Sequence, residues 1–314
     1  MSGHAIRQEF LPQFRALRAN SRLLAIMILV SYVAQLLGAI GLGYWLLTLP
    51  LSVVSGLGIA AVMFFIGTRL RGFNNMVHEC CHYAFSVERH DNAVIGSIAA
   101  SIVMGSFHDY RDEHLTHHAH LGDYEKDLDL QGIRHFRLEA PLTPRTIARH
   151  ILTPILGLHL PEYVSINLSA RDGTVYRLLK FALIGAAVLF LIYDPLPALL
   201  LVWIPFLWIF TAINYWMDCI DHAGLVHAED ELDASRNVNH SLPRVLSTIV
   251  FPRNDGYHLI HHLFPQLPVH HFGRCHEQLM ANPEYRARDG ATGEHTGGQT
   301  APKPIKTVTT SAAT

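Results

Sequence analysis

Residues 23–67 read LLAIMILVSYVAQLLGAIGLGYWLLTLPLSVVSGLGIAAVMFFIG, a run without one charged side chain. A helix crosses the roughly 30 Å hydrocarbon core of a bilayer in about 20 residues, so this run is long enough to cross twice. Pro50 and its neighbours Thr48 and Leu49 break it. The break leaves spans at 23–47 and 51–67 with a very short turn between them. A second pair follows at 178–193 and 196–217, joined by Asp194 and Pro195. Connections this short fold each pair back on itself, with both turns on one side of the membrane. The predicted fold class is all-α and integral to a membrane, with four transmembrane helices as two hairpins.

Composition agrees. Half of the 314 residues are hydrophobic and 16% are charged, against about 25% charged in an ordinary soluble domain. The mean hydropathy is +0.20. A net charge of -2 excludes the basic signature of a nucleic-acid partner. Arg7, Arg15, Arg18 and Arg22 precede the first span, and Arg69, Arg71, Arg177 and Lys180 bracket the central loop. The two turns carry neither lysine nor arginine. The positive-inside rule therefore places both termini and the central loop on the cytoplasmic side, of the plasma or inner membrane if the source is bacterial. The expected organisation is a cytoplasmic segment at 1–22, a membrane domain at 23–285 and a disordered tail at 286–314, rich in Gly, Thr and Ala. The leading segment is too long and polar for a secretory n-region, so the first span is retained. A shorter apolar stretch at 93–107 predicts an interfacial or re-entrant helix. Cys80, Cys81, Cys219 and Cys275 form no C-x-x-C pair and read as reduced packing residues.

Histidine is the anomaly, with 22 copies against 24 lysines and arginines together. Three clusters share one geometry: His78 and His82; His114, His117 and His118; His258, His261 and His262. Residues three and four apart share a helix face, so each cluster points its imidazoles together. The hairpins bring all three to the cytoplasmic side, in a helical cap on the membrane domain. Such sets suit zinc, copper or non-haem iron. Eight imidazoles exceed the four ligands that one zinc takes. His222, just past the fourth span, is a ninth candidate. Asp218 lies one turn before it and is placed to orient a ligand or hold a metal-bound water.

The order H-x-x-x-H, H-x-x-H-H, H-x-x-H-H around paired hairpins resembles the membrane fatty acid desaturase superfamily. Asn254-Asp-Gly-Tyr-His258-Leu-Ile-His261-His262-Leu-Phe264-Pro265 is similar to its third histidine box, and Tyr110-Arg-Asp-Glu-His114-Leu-Thr-His117-His118 to its second. The resemblance covers roughly residues 20 to 285. It implies two non-haem irons that use O2 to remove two hydrogens from a fatty acyl or lipid-like chain. It carries over as iron ligands His78, His82, His114, His117, His118, His258, His261 and His262, and His222 by position. Where the family often has asparagine one turn before that last histidine, this chain has Asp218, which puts that supporting role in doubt. Front-end desaturases often begin the third box with glutamine and carry a fused haem domain. Here the position is His258, and the short N-terminus leaves no room for such a domain. The expected electron source is a separate ferredoxin or cytochrome with its reductase.

Two other chemistries share these residues. His78-Glu79-Cys80-Cys81-His82 also fits H-E-x-x-H, in which Glu79 would serve a membrane zinc protease as general base; otherwise Glu79 and Asn254 are candidates to support ligands. Hydroxylation, ketolation or acetylenic-bond formation by the same site would use the same ligands. Of the acidic residues Asp109, Asp112, Glu113, Asp123, Glu125, Asp127 and Asp129, most read as a solvated loop face, with ligand support the alternative. Arg134, Arg137, Arg145 and Arg149 are positioned to meet lipid headgroups. Tyr83, Phe107, Tyr110 and Trp216 are candidates to line a substrate channel, with generic packing the plainer account.

Overall fold

The computed structural model describes residues 2–290 apart from 229, 231 and 239–241. It is all-helical: among the described residues there are two isolated β-bridges and no strand. Four helices are long and apolar enough to cross a membrane: Arg22–Leu47, Val53–Cys81, Thr174–Tyr193 and Pro195–His222. With Gly3–Phe14 as α1, the first two are α2 and α3. Next come α4 (Arg89–Ile102), α5 (Phe107–His120) and α6 (Pro144–Ile155). Thr174–Tyr193 is α7 and Pro195–His222 is α8. The described residues end with α9 (Arg244–Val250), α10 (His258–Leu263), α11 (Phe272–Leu279) and α12 (Pro283–Gly290).

Capping explains several boundaries. Ser21 caps α2, while Ser52 and Ser55 form a reciprocal box at the start of α3, and Thr143 and Thr146 do the same for α6. Within α8, residues Leu199–Trp203 and Pro205–Phe210 wind as π-helix. Pro205 lacks the N–H that a regular turn needs there.

The boundaries differ from the sequence expectation in ways that matter to the site. The helix that holds the apolar stretch 51–67 does not end with it but runs on to Cys81, because nothing between Gly67 and His82 interrupts it. At about 1.5 Å per residue, its 29 residues reach about 43 Å. The excess over the hydrocarbon thickness carries the first histidine pair on the same rigid rod. The fourth apolar helix likewise reaches His222 rather than Met217. The third begins at Thr174 and takes in Lys180, which is fully buried and satisfied by Asp172 at 3.2 Å and the Asn167 carbonyl at 2.7 Å.

The expected tail also needs correcting. Residues 286–290 belong to α12, and Tyr285 and Asp289 are buried, so order extends past 285. Residues 291–314 lie outside the described residues. The N-terminal segment is folded onto the last histidine-bearing helix: Ile6, Phe10 and Phe14 of α1 share a core with Leu259, Ile260, Leu263 and Phe264. The helix expected from the apolar stretch at 93–107 is α4. It packs on α3, with Gly96 closely opposed to Phe107 and Cys80. All four cysteines are free and buried.

Candidate metal centre

Four helix segments carry the nine histidines. α3 presents His78 and His82 at its end, α5 presents His114, His117 and His118, α10 presents His258, His261 and His262, and α8 ends on His222. The ring nitrogens sort into two groups. One holds His78, His82, His114, His118 and His261; the other holds His117, His222, His258 and His262. Within each group the candidate ligand atoms lie within 4.8 Å of one another. Both α5 and α10 straddle the pair, since their i and i+4 histidines serve one group and the remaining histidine the other. The groups adjoin: the rings of His118 and His262 are stacked with centroids 4.5 Å apart.

Hydrogen bonds fix several rings from behind. His114 Nδ1 donates to Asp129 at 2.6 Å and His117 Nδ1 to Asp127 at 2.9 Å. His222 Nδ1 donates to the Ala234 carbonyl at 3.0 Å, and His258 Nδ1 faces Asp221 at 3.5 Å. A proton on Nδ1 leaves Nε2 of a neutral ring as a bare lone pair. The Nε2 atoms of His222 and His258 nonetheless stand 3.0 Å apart, and those of His258 and His262 2.9 Å. Two lone pairs so close repel unless a cation lies between them. Among the described residues, the buried Nε2 atoms of His78 and His82 have no hydrogen-bond partner at all. Orphaned, converging nitrogens of this kind fit metal ions.

Protonation states agree. Burial, reinforced by neighbouring imidazoles, pushes His118, His258, His261 and His262 well below the usual histidine range, and burial does the same to His82. His114 is lowered by burial despite Asp129. His117 is the exception: burial opposes its charge, but the Asp127 hydrogen bond and charge outweigh it and raise the value. Neutral imidazole is the form that binds metal.

A third set of contacts ties α3 to the segment leading into α10. Arg71, Asn75 and Glu79 lie at i, i+4 and i+8, along one face of α3. Arg71 grips Asp255 at 2.8 Å, Asn75 donates to the Pro252 carbonyl at 2.8 Å, and Glu79 takes both arms of Arg253 at 2.6 Å. From the other side, Arg7 of α1 donates to the Leu263 carbonyl at 2.8 Å, where α10 ends.

Several expected supporting residues do other work. Glu79 is engaged by Arg253 through both carboxylate oxygens, and that pairing leaves it unsuited to act as the general base of a protease. Asn254 donates to the Val269 carbonyl at 2.8 Å. Asp218 accepts a hydrogen bond from Tyr163. Of the acidic residues in the loop, Asp127 and Asp129 hydrogen-bond candidate ligands. Asp109 and Asp112 pair with Arg171, Asp123 pairs with Lys126, and Glu125 pairs with Arg134. Sequence reasoning missed Asp221, the Ala234 carbonyl, Arg7 and Arg253. Nothing in their local sequence sets them apart. Of the four aromatic candidates, Tyr110 stacks on His114 at 5.3 Å. Tyr83 lies under Arg89 and Arg111, Phe107 is in the core, and Trp216 donates to the His150 carbonyl.

Four helices of membrane length and nine convergent imidazoles define a polyhistidine, membrane-compatible helical protein. The family model described as fatty acid desaturase matches residues 55–289, and the chain belongs to that family. Among curated relatives it is similar to the acyl-lipid omega-3 desaturase (cytochrome b5) of the endoplasmic reticulum of Arabidopsis thaliana, 27% identical over 62% of this chain and 56% of the relative. It is similar to the chloroplastic sn-2 acyl-lipid omega-3 desaturase (ferredoxin) of the same plant, 27% identical over 62% of this chain and 49% of the relative. The dihydrorhizobitoxine desaturase of Bradyrhizobium elkanii is 26% identical over 88% of this chain and 81% of the relative. The match spans about half the length of these plant relatives.

Proposed function

We propose that the chain is an oxygen-dependent di-iron desaturase that introduces a double bond into a fatty acyl or lipid-like chain. One observation carries the reading: nine buried or half-buried imidazoles meet in two adjoining groups, in a member of the desaturase family. Nine nitrogen donors exceed the needs of one zinc, and with five and four they suit two ions. When bound, an iron pair supplies the oxidising power to take two hydrogens from an alkyl chain, while O2, two electrons and two protons complete the formation of two waters.

The chain's own residues have simpler tasks. Asp127, Asp129, Asp221 and the Ala234 carbonyl orient imidazoles and set their tautomers. Burial by α1, α3, α5 and α10 keeps bulk water from the centre. Electrons come from a separate ferredoxin or cytochrome with its reductase, a reading supported by the donors named for the two plant relatives. The four apolar helices form two hairpins, and the histidine-bearing elements cap them on the cytoplasmic side, where the arginines flanking the spans concentrate.

The test is expression in a host with a simple acyl profile, followed by gas chromatography of the total fatty acids. A new unsaturated species that disappears with His118→Ala supports desaturation, and hydroxylated or keto products would move the site to the sister chemistry. Elemental analysis of the purified chain checks the metal. A single zinc, retained in His118→Ala and lost in His78→Ala, would sink the di-iron reading.

A further inference from the structure

The segment between the second and third membrane-length helices does more than connect them. Its contacts with α8 fall in a sequence. Gly224, just past the end of α8, donates to the Leu138 carbonyl at 2.7 Å and lies against Leu142. Next, Trp216 donates its indole N–H to the His150 carbonyl at 3.2 Å. Further down, Trp208 donates to the Pro154 carbonyl at 3.0 Å and touches Gly157. The contacts then climb again: His159 meets Thr211 at 3.0 Å, and Tyr163 donates to Asp218. The chain therefore runs down α8 from its histidine end to its middle, reverses and returns. Gly157, with φ +73°, sits at the reversal, where a side chain would be strained.

The depth follows from the helix rise. Trp208 lies eight residues below Trp216, about 12 Å along the axis. A hydrocarbon core of about 20 residues, measured from Pro195, ends near residue 215. The reversal is then about 10 Å inside it.

Chemistry matches the depth. No residue from His150 to Pro161 is charged. The outward side chains there are apolar, with Ile151 50%, Ile155 54%, Leu156 63% and Leu158 59% exposed. Water is a poor partner for such a stripe. Ile147 and Ile151 share an apolar crevice of about 480 Å³ with Phe64 of α3 and with Ile213 and Met217 of α8. Irregular backbone survives at membrane depth only where its polar groups are satisfied, and the two indoles satisfy carbonyls on the descending limb. Arg145 and Arg149 stand at the upper end, at the level of headgroups.

We propose that residues 142–168 form a re-entrant loop of the membrane domain, turning at Gly157 within the bilayer, with lipid hydrocarbon covering Ile151, Ile155, Leu156 and Leu158. This rests on the reading of the four apolar helices as spans. The return limb carries Tyr163 to Asp218, so the loop forms one wall between the lipid and the histidine end of α8.

The experiment places a nitroxide on single added cysteines, Ile147→Cys, Ile151→Cys, Leu156→Cys and Leu158→Cys, in the full chain in phosphatidylcholine nanodiscs. The four native cysteines are buried and stay unlabelled. Relaxation by oxygen is compared with relaxation by a water-soluble nickel chelate. Leu189→Cys, 67% exposed on α7, calibrates lipid, and Glu125→Cys calibrates water. The oxygen-to-nickel ratio should rise severalfold from Ile147 to Leu156 and Leu158, approaching that at Leu189. A water-like ratio at Leu156 and Leu158 beside a lipid-like Leu189 overturns the loop and leaves the spans intact. A water-like Leu189 overturns the spans themselves. Exclusion of both reagents, with dipolar broadening between copies, would make this face a protein contact and also overturn the proposal. Unchanged far-UV helicity shows which labelled chains are folded, and Ile151 and Leu158 give the same test independently of Leu156.

Discussion

The two histidine groups are built from the same elements but held differently. In the group of His117, His222, His258 and His262, two rings donate from Nδ1, to Asp127 and the Ala234 carbonyl, and a third, His258, turns its Nδ1 toward Asp221 at 3.5 Å. In the group of His78, His82, His114, His118 and His261, one ring donates from Nδ1 among the described residues, His114 to Asp129. That second set instead relies on the frame. His78 and His82 ride on a rigid helix that Arg71, Asn75 and Glu79 fasten to residues 252, 253 and 255. One group is preorganised ring by ring, the other by the placement of whole helices. Two ways of meeting the same tolerance imply two patterns of failure.

The largest effect is loss of a ligand. His118→Ala removes a member of the framed group and His222→Ala a member of the ring-held group. Elemental analysis should show each variant losing about one of the two ions that nine imidazoles can hold. If both variants lose everything, the groups are one cooperative site and the comparison fails.

Next in size is the frame. Arg253→Ala leaves the Glu79 carboxylate buried without its partner, an uncompensated charge that costs about 3–5 kcal/mol. Thermal inactivation in detergent should come at clearly lower temperature. The remaining metal should be lost first from the framed group. Glu79→Gln should be milder, because a neutral amide can still accept from Arg253. A wild-type thermal midpoint in Arg253→Ala would show that the helices need no fastening.

Smaller still is the loss of an orienting carboxylate. Asp127→Ala should weaken metal binding by about 10–100-fold, the usual effect of removing the partner of a ligating histidine. Asp127→Asn should recover part of it through its amide oxygen. Asp129→Ala should cost less, because four other imidazoles and the frame still define its group. A chelator titration that ranks Asp129→Ala as the worse variant would reverse the assignment.

How much of this was legible in the sequence depends on the range of the interaction. The long apolar runs and the i, i+4 histidines are local, and the chain declares them. The partition of nine histidines into five and four is not local. It depends on four separate helix segments converging, so that His117 meets His222, His258 and His262 while His114 and His118 meet His78, His82 and His261. Asp127 and Asp129 could not be told from Asp123 and Glu125, because the loop folds back on α5 only in three dimensions. The short apolar segments show the same limit. Residues 93–107 and 150–161 are both too short to span, and the sequence drew attention to the first. That one is a buried helix covered by α3, and the second is the exposed one. Periodicity cannot say which face a neighbour already occupies.

The last prediction sets the two groups against each other through pH in the metal-free chain. His82, His114, His118 and His261 of the framed group, and His258 and His262 of the other, are held below the unfolded histidine value of about 6.5 by burial. Below that value the unfolded chain binds protons that the folded chain refuses, so these six lose stability as pH falls. His117, raised by Asp127 against the opposition of burial, has the opposite sign. It adds stability below the unfolded value and loses it as pH rises through its folded one. These six outweigh His117, so the thermal midpoint of the metal-free chain should fall between about pH 8 and about pH 5.5. Asp127→Asn removes the opposing contribution of His117 and should steepen that fall. An unchanged slope would mean that Asp127 orients His117 without stabilising its charged form, which would leave the ring-held group with geometry as its only distinction.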